Sequence, residues 1–185
     1  MDKDTSLIGD IERNRFLLIL LNEEMYMDKI AKIAESMGKD KKICYVCLSK
    51  PYKDVCDELK KNGIETKRFY FIDALSSHYR KMRPAGNCTF LTSPTNLLEI
   101  KFAISKAVKE KKCDAVVFDT ISTMLIYQQS SKIVKFTHEF LSEGTEKSKI
   151  LYLVLKHESI PTEENERLIK DLNLFADKTI DMERK

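Results

Sequence analysis

The sequence predicts an α/β fold class: a doubly wound, mostly parallel sheet with helices on both faces. Runs such as residues 16–21 and 150–155 are apolar or aromatic throughout, as strands covered on both faces are. The segments between such runs space their apolar residues as one face of a helix requires. Strands and helices alternate, which implies parallel strands joined by right-handed crossovers.

Phe16, Leu17, Leu18, Ile19, Leu20 and Leu21 form the first central strand. Asn22 is placed to cap a helix in which Met27, Ile30, Ile33, Ala34 and Met37 recur at helical spacing before Gly38 stops it. Residues 43–48 are the second strand, and Pro51 opens a helix with Val55 and Leu59 inward that Asn62 and Gly63 close. Residues 68–72 and 89–91 are short strands, the second running into Ser93-Pro94-Thr95, a helix start followed by Leu97, Ile100, Ile104 and Val108. Ala115 to Phe118 form a buried strand ending at Asp119, and Ile133, Phe136 and Phe140 mark the next helix. Residues 150–155 are a further strand, a helix follows around 168–172, and residues 178–182 read as a last short strand.

A length of 185 residues suits one core, and no linker, repeat or Gly/Ser tract divides the chain, so a single domain over 1–185 is expected. Residues 1–14 are expected to be a poorly ordered or helical extension. They carry charges throughout, which fits neither a signal peptide nor a membrane anchor. The 32 Lys+Arg and 29 Asp+Glu leave +3 with the signs interspersed, which argues against a dedicated nucleic-acid surface. Five cysteines without an export signal read as reduced thiols in the cytoplasm.

In a doubly wound sheet, function gathers at the carboxyl ends of the strands. There, Asp114 to Ser122 (Asp-Ala-Val-Val-Phe-Asp-Thr-Ile-Ser) resembles the Walker B strand of KaiC-like RecA-family ATPases. Residues 45–49 resemble that family's second strand, residues 150–158 the strand after its Walker B helix, and residues 174–182 its "Ala-Asp then apolar strand" close. The resemblance spans nearly the whole chain. It implies a RecA/KaiC-like three-layer sandwich, self-association through the flat sides of the domain, and a role for Asp119 in holding the water shell of Mg²⁺.

The departures from that family concern its chemistry. A phosphate-binding loop needs glycines whose neighbouring N–H groups wrap the phosphates, a Lys, and a Ser or Thr for Mg²⁺. After Leu21 the chain reads Asn22-Glu23-Glu24-Met25-Tyr26-Met27-Asp28-Lys29, with no glycine, three acids, and only Lys29 to stand in for the loop lysine. Where the resemblance implies a water-activating Glu after the second strand, the chain has Ser49 and Lys50, neither of them a carboxylate base. Asp119, deprived of a phosphate cradle, is expected to cap the following helix or the Thr120-Ile121-Ser122 turn rather than bind metal.

Cys44-x-x-Cys47 has the spacing of a zinc or redox pair, but residues three apart in a strand point to opposite faces, so both are expected to pack as small hydrophobes. The stretch from His78 to Gly86 carries His78, Arg80, Lys81 and Arg83 and no acid, as an anion- or nucleic-acid-contacting loop would; an ordinary solvated loop explains it without further assumption and is the favoured reading. Lys156 and His157 end a strand where an anion could bind.

The leading expectation is thus a non-catalytic module, a pseudo-ATPase acting through protein partners or its own kind, with no catalytic residue, no metal and no cofactor. The alternative recruits Lys29, Asp119, Thr120, Lys156 and His157 to hold a nucleotide such as Mg-ATP or another anionic metabolite. A third reading is nucleic-acid binding through the basic loop at 78–86.

Overall fold

The computed structural model describes residues 3–22, 24, 26–79, 82, 85–142, 148–155 and 162–182. Helices and strands alternate along them as α1 (Lys3–Arg13), β1 (Phe16–Leu21), α2 (Tyr26–Ser36), β2 (Ile43–Cys47), α3 (Tyr52–Lys61), β3 (Phe69–Asp73), α4 (Ser76–Tyr79), β4 (Cys88–Phe90), α5 (Leu97–Glu110), β5 (Ala115–Asp119), α6 (Ser130–Ser142), β6 (Lys149–Leu155), α7 (Thr162–Leu172) and β7 (Lys178–Asp181). Single 3-10 segments lie at Thr66–Arg68 and Ile121–Ile126.

The strands form one sheet in the order β4-β3-β2-β5-β6-β1-β7. Every neighbouring pair among them is parallel, so the sheet is wholly rather than mostly parallel. Alternation of side chains along each strand divides the interior into two cores. On one side Leu18, Val46, Val116, Phe118, Tyr152 and Val154 meet Ile100, Ile104, Ile133, Phe136, Phe140 and Leu168 from α5, α6 and α7. On the other, Leu17, Ile19, Tyr45, Val117 and Leu151 meet Leu7, Ile11, Ile30, Ile33, Val55 and Leu59 from α1, α2 and α3. This is the doubly wound sandwich that the apolar runs predict.

Residues 3–13 of the amino-terminal extension are helical, and Leu7 and Ile11 bury α1 against the sheet side that α2 and α3 cover. Two expected helix starts are displaced. Asn96, not the Ser93-Pro94-Thr95 stretch, caps α5, its side chain accepting from the Glu99 N–H at 3.1 Å; the Ser93 and Thr95 hydroxyls are spent on each other at 2.8 Å. Asn22 lies too far ahead of α2 to be its N-cap, because that helix begins where Tyr26 joins the buried stripe of Ile30, Ile33 and Ala34. The short α4 was not expected from spacing. Cys44 and Cys47 do face opposite cores, and all five cysteines are free and buried.

Candidate functional site

The parallel register carries β2 and β5 to the same level, with Cys47 opposite Asp119. The next residues of β2's exit, Leu48, Ser49 and Lys50, therefore run past the β5 carboxylate, and the Leu48 N–H donates to the Asp119 carbonyl at 3.0 Å. The Ser49 hydroxyl donates to Asp119 Oδ1 at 2.6 Å. From the other side of the sheet edge, the first residue of α2 reaches the same oxygen: the Tyr26 hydroxyl donates to Asp119 Oδ1. Tyr26 has one proton to give, so in its 2.7 Å contact with Tyr45 the Tyr45 hydroxyl is the donor. Asp119 is fully buried, and its Oδ2 has no hydrogen-bond partner among the described residues.

Burial pushes the Asp119 carboxyl up from its ordinary 3.8 to about 6, against the pull of the Ser49, Tyr26 and Tyr45 hydroxyls and the Lys50 charge. Burial raises the Tyr26 and Tyr45 phenols too, with the Asp119 charge adding to it, so both stay protonated donors at neutral pH. The cluster is then one ionised carboxylate held by hydroxyl protons from α2 and from β2's exit.

Beside it opens a cleft of about 420 Å³ lined by Tyr26, Met27, Ser49, Lys50, Thr120 and Leu155. It sits where β1, β2, β5 and β6 end, the functional edge of such a sheet. Thr120 contributes a wall, its hydroxyl paired with that of Thr123 at 2.6 Å. Lys50 brings an ammonium that is ion-paired with Glu58 at 2.7 Å. A second carboxylate at the same edge, Asp73 of β3, is also fully buried. It accepts the N–H groups of Tyr52, Leu75 and Ser76, each at 2.8 Å, and the Ser76 hydroxyl at 2.6 Å.

Of the described residues expected to hold an anion, only Thr120 lines the cleft. Lys29 lies on the inward face of α2, 4% exposed, with its Nζ 3.9 Å from the Asp28 carboxylate. Asp119 sits behind the cleft wall. Its expected role as a cap is corrected: no side chain caps the 3-10 turn after Thr120, because the carboxylate is engaged by Ser49 and Tyr26 instead. Lys156 and His157 lie outside the described residues, as do Arg80, Lys81 and Arg83; His78 falls in α4.

Tyr26 and Tyr45 were not singled out in the sequence, where Tyr26 stands only in the glycine-free segment after Leu21 and Tyr45 only in the second strand. The available signal was position: Tyr26 stands four residues before Ile30, at the head of the helix's buried stripe.

The Mg²⁺ that the family resemblance implies does not fit this closed arrangement. Asp119 Oδ1 is filled by two hydroxyl protons, and no group of three His, Cys, Asp or Glu among the described residues could hold a metal ion.

No protein-family model and no curated protein sequence matches the chain. Its fold does match solved structures. A KaiC-like protein from the hyperthermophilic archaeon Pyrococcus horikoshii OT3 is 14% identical with a TM-score of 0.63, over 92% of this chain and 74% of that one. An uncharacterised protein from Pyrococcus horikoshii, in complex with an unknown peptide, is 12% identical with a TM-score of 0.68, over 96% and 82%. The flagellar accessory protein FlaH from Methanocaldococcus jannaschii is 12% identical with a TM-score of 0.52, over 90% and 70%. The chain thus has the α/β fold of KaiC-like and RecA-like proteins. No helix among the described residues is long and apolar enough to cross a membrane.

Proposed function

We propose that this chain is a non-catalytic RecA/KaiC-like module, a pseudo-ATPase that acts by binding a protein partner or a second copy of itself. The observation that carries this reading is the sealing of Asp119: the acid at the end of β5 is buried and its Oδ1 is occupied by the Tyr26 and Ser49 hydroxyls. The glycine-free segment from Asn22 to Lys29 supports it, since the three acids it carries in sequence would repel a triphosphate. A protein partner is in keeping with the Pyrococcus horikoshii neighbour described with a peptide. Five free, buried thiols suit a reducing compartment such as the cytoplasm.

The second reading, a site for a nucleotide or another anionic metabolite, is favoured by the cleft itself, which offers about 420 Å³ and the Lys50 ammonium. Lys29, Thr120, Lys156 and His157 are its further candidates. The third, nucleic-acid contact through Arg80, Lys81 and Arg83, predicts binding that weakens steeply with salt.

Thermal unfolding with and without millimolar Mg-ATP, ADP or GTP separates these readings. A ligand present at about a hundred times its dissociation constant adds about 2.7 kcal/mol and raises the midpoint. An unchanged midpoint and no released phosphate support the non-catalytic module. A clear shift favours the nucleotide site, and hydrolysis abolished by Asp119→Ala overturns the module outright.

A further inference from the structure

The five thiols are shared unequally between the two cores. Cys47, Cys56 and Cys88 lie on the side that α1, α2 and α3 cover, whereas Cys44 and Cys113 lie together on the other. There the two side chains are in hydrogen-bonding contact, the Cys44 thiol donating to the Cys113 sulfur. The backbone fixes that meeting. The Lys42 carbonyl accepts the N–H groups of Asp114 at 2.8 Å and Ala115 at 3.3 Å, and the Ser148 hydroxyl donates to the Cys113 carbonyl at 3.1 Å.

We propose that Cys44 and Cys113 form an oxidation site, a thiol pair that a peroxide converts to a disulfide fastening β2 to the start of β5. The pair sits at the amino ends of these strands and the cleft at their carboxyl ends, so the site is independent of the function proposed for the Asp119 edge.

The surroundings assign the two roles. Cys113 is the attacking sulfur: the Cys44 hydrogen bond holds its thiol below the ordinary range, helped by the Lys42 charge and opposed by burial and Asp114. It is also the sulfur nearer to solvent, since it follows the exposed Lys111 and Lys112, whereas Cys44 is wholly covered. Lys112 has a φ of 60°, the only positive φ of a non-glycine residue among the described residues. That strains the turn leading into Cys113 and lowers the cost of opening it to a small oxidant. Cys44 is the resolving sulfur, because no other thiol shares this core.

The Cys113 thiolate attacks one oxygen of hydrogen peroxide; an S–O bond forms, the O–O bond breaks, and the departing hydroxide takes up the Cys113 proton as water. The Cys44 sulfur then attacks the sulfenic sulfur, an S–S bond of about 2.05 Å forms, and hydroxide leaves with the Cys44 proton as a second water. The two thiols lose two electrons and the peroxide gains them. The segment between them, with α3, β3, α4, β4 and α5, becomes a covalent loop that restricts the unfolded chain. A thiol reductant reverses the bond, as a transient disulfide in a reducing compartment requires.

The experiment treats the folded full chain with graded hydrogen peroxide, quenches with N-ethylmaleimide, digests without reductant and reads the peptides by mass spectrometry, alongside Cys44→Ser and Cys113→Ser. The expected product is a peptide linked through Cys44 and Cys113, formed at least about tenfold faster than any oxidation of Cys47, Cys56 or Cys88 and removed by dithiothreitol. Cys44→Ser is expected to stop at the Cys113 sulfenic acid, trapped with dimedone, and Cys113→Ser to give neither product. The oxidised wild type is expected to unfold at a higher urea concentration than the reduced form. No linked peptide, one that appears only in urea, or linkage through Cys47, Cys56 or Cys88 as readily each overturns the site, and an unchanged urea midpoint overturns the fastening. The wild-type peptides decide even where a serine variant does not fold.

Discussion

The Tyr26 hydroxyl donates to the Asp119 carboxylate across 93 residues of sequence, fastening the first turn of α2 to the end of β5. A buried hydrogen bond to a charged group is worth about 1.5–3 kcal/mol. Tyr26→Phe keeps the ring in its core and deletes the bond, so unfolding in urea is expected at a lower midpoint, by about 2 kcal/mol, with an unchanged slope. A variant as stable as the wild type would show that the bond contributes nothing.

Asp119 makes stability depend on pH in a direction opposite to that of a salt-bridged acid. Its folded pKa lies near 6, above its ordinary 3.8, so between those values the folded state holds more protons than the unfolded one. Stability from this group is therefore full below about pH 4 and is lost as pH rises through 6. A shift of about two units corresponds to about 3 kcal/mol. Asp119→Asn cannot titrate, so the wild type should lose about that much relative to the variant between pH 4 and pH 7, as read from denaturation curves at each pH. A constant difference across that range would contradict the burial-raised carboxyl.

Asp73 is a buried carboxylate with four donors: the N–H groups of Tyr52, Leu75 and Ser76 and the Ser76 hydroxyl. Asp73→Ala leaves all of them without their acceptor at the junction of α3, β3 and α4. A loss of more than about 3 kcal/mol is expected, with Asp73→Asn milder because its carbonyl oxygen still accepts. Equal losses from the two substitutions would place the cost in packing rather than in hydrogen bonding.

The thiols give a simple accessibility test. All five are buried, and burial is a leading cause of the raised pKa of Cys47, Cys56 and Cys88. Since the thiolate is the reactive species, a disulfide reagent should label the native protein slowly and all five cysteines once it is unfolded. Fast labelling of a native thiol would show that its region opens locally.

Strands were the most legible elements. The runs at 16–21, 115–118 and 150–155 lie in the interior of the sheet, where both faces are covered, and a strand buried on both sides shows itself as unbroken apolarity. The Cys44/Cys47 pair was equally readable, because alternation in a strand fixes opposite faces. Helix beginnings were less so: Asn22, Ser93 and Asn96 all offer capping side chains, and which one caps depends on where packing starts the helix.

By itself the sequence determined the α/β layering, the absence of glycine between Asn22 and Lys29, and the place of Asp119 at a strand's carboxyl end, because periodicity and backbone requirements are local. Only the tertiary structure decided what Asp119 does. Its partners Tyr26 and Ser49 come from α2 and from the exit of β2, and Tyr45 from β2 itself. They meet it through parallel register and helix packing, and hydrogen bonds between residues 70 and 93 positions apart leave no mark in local spacing.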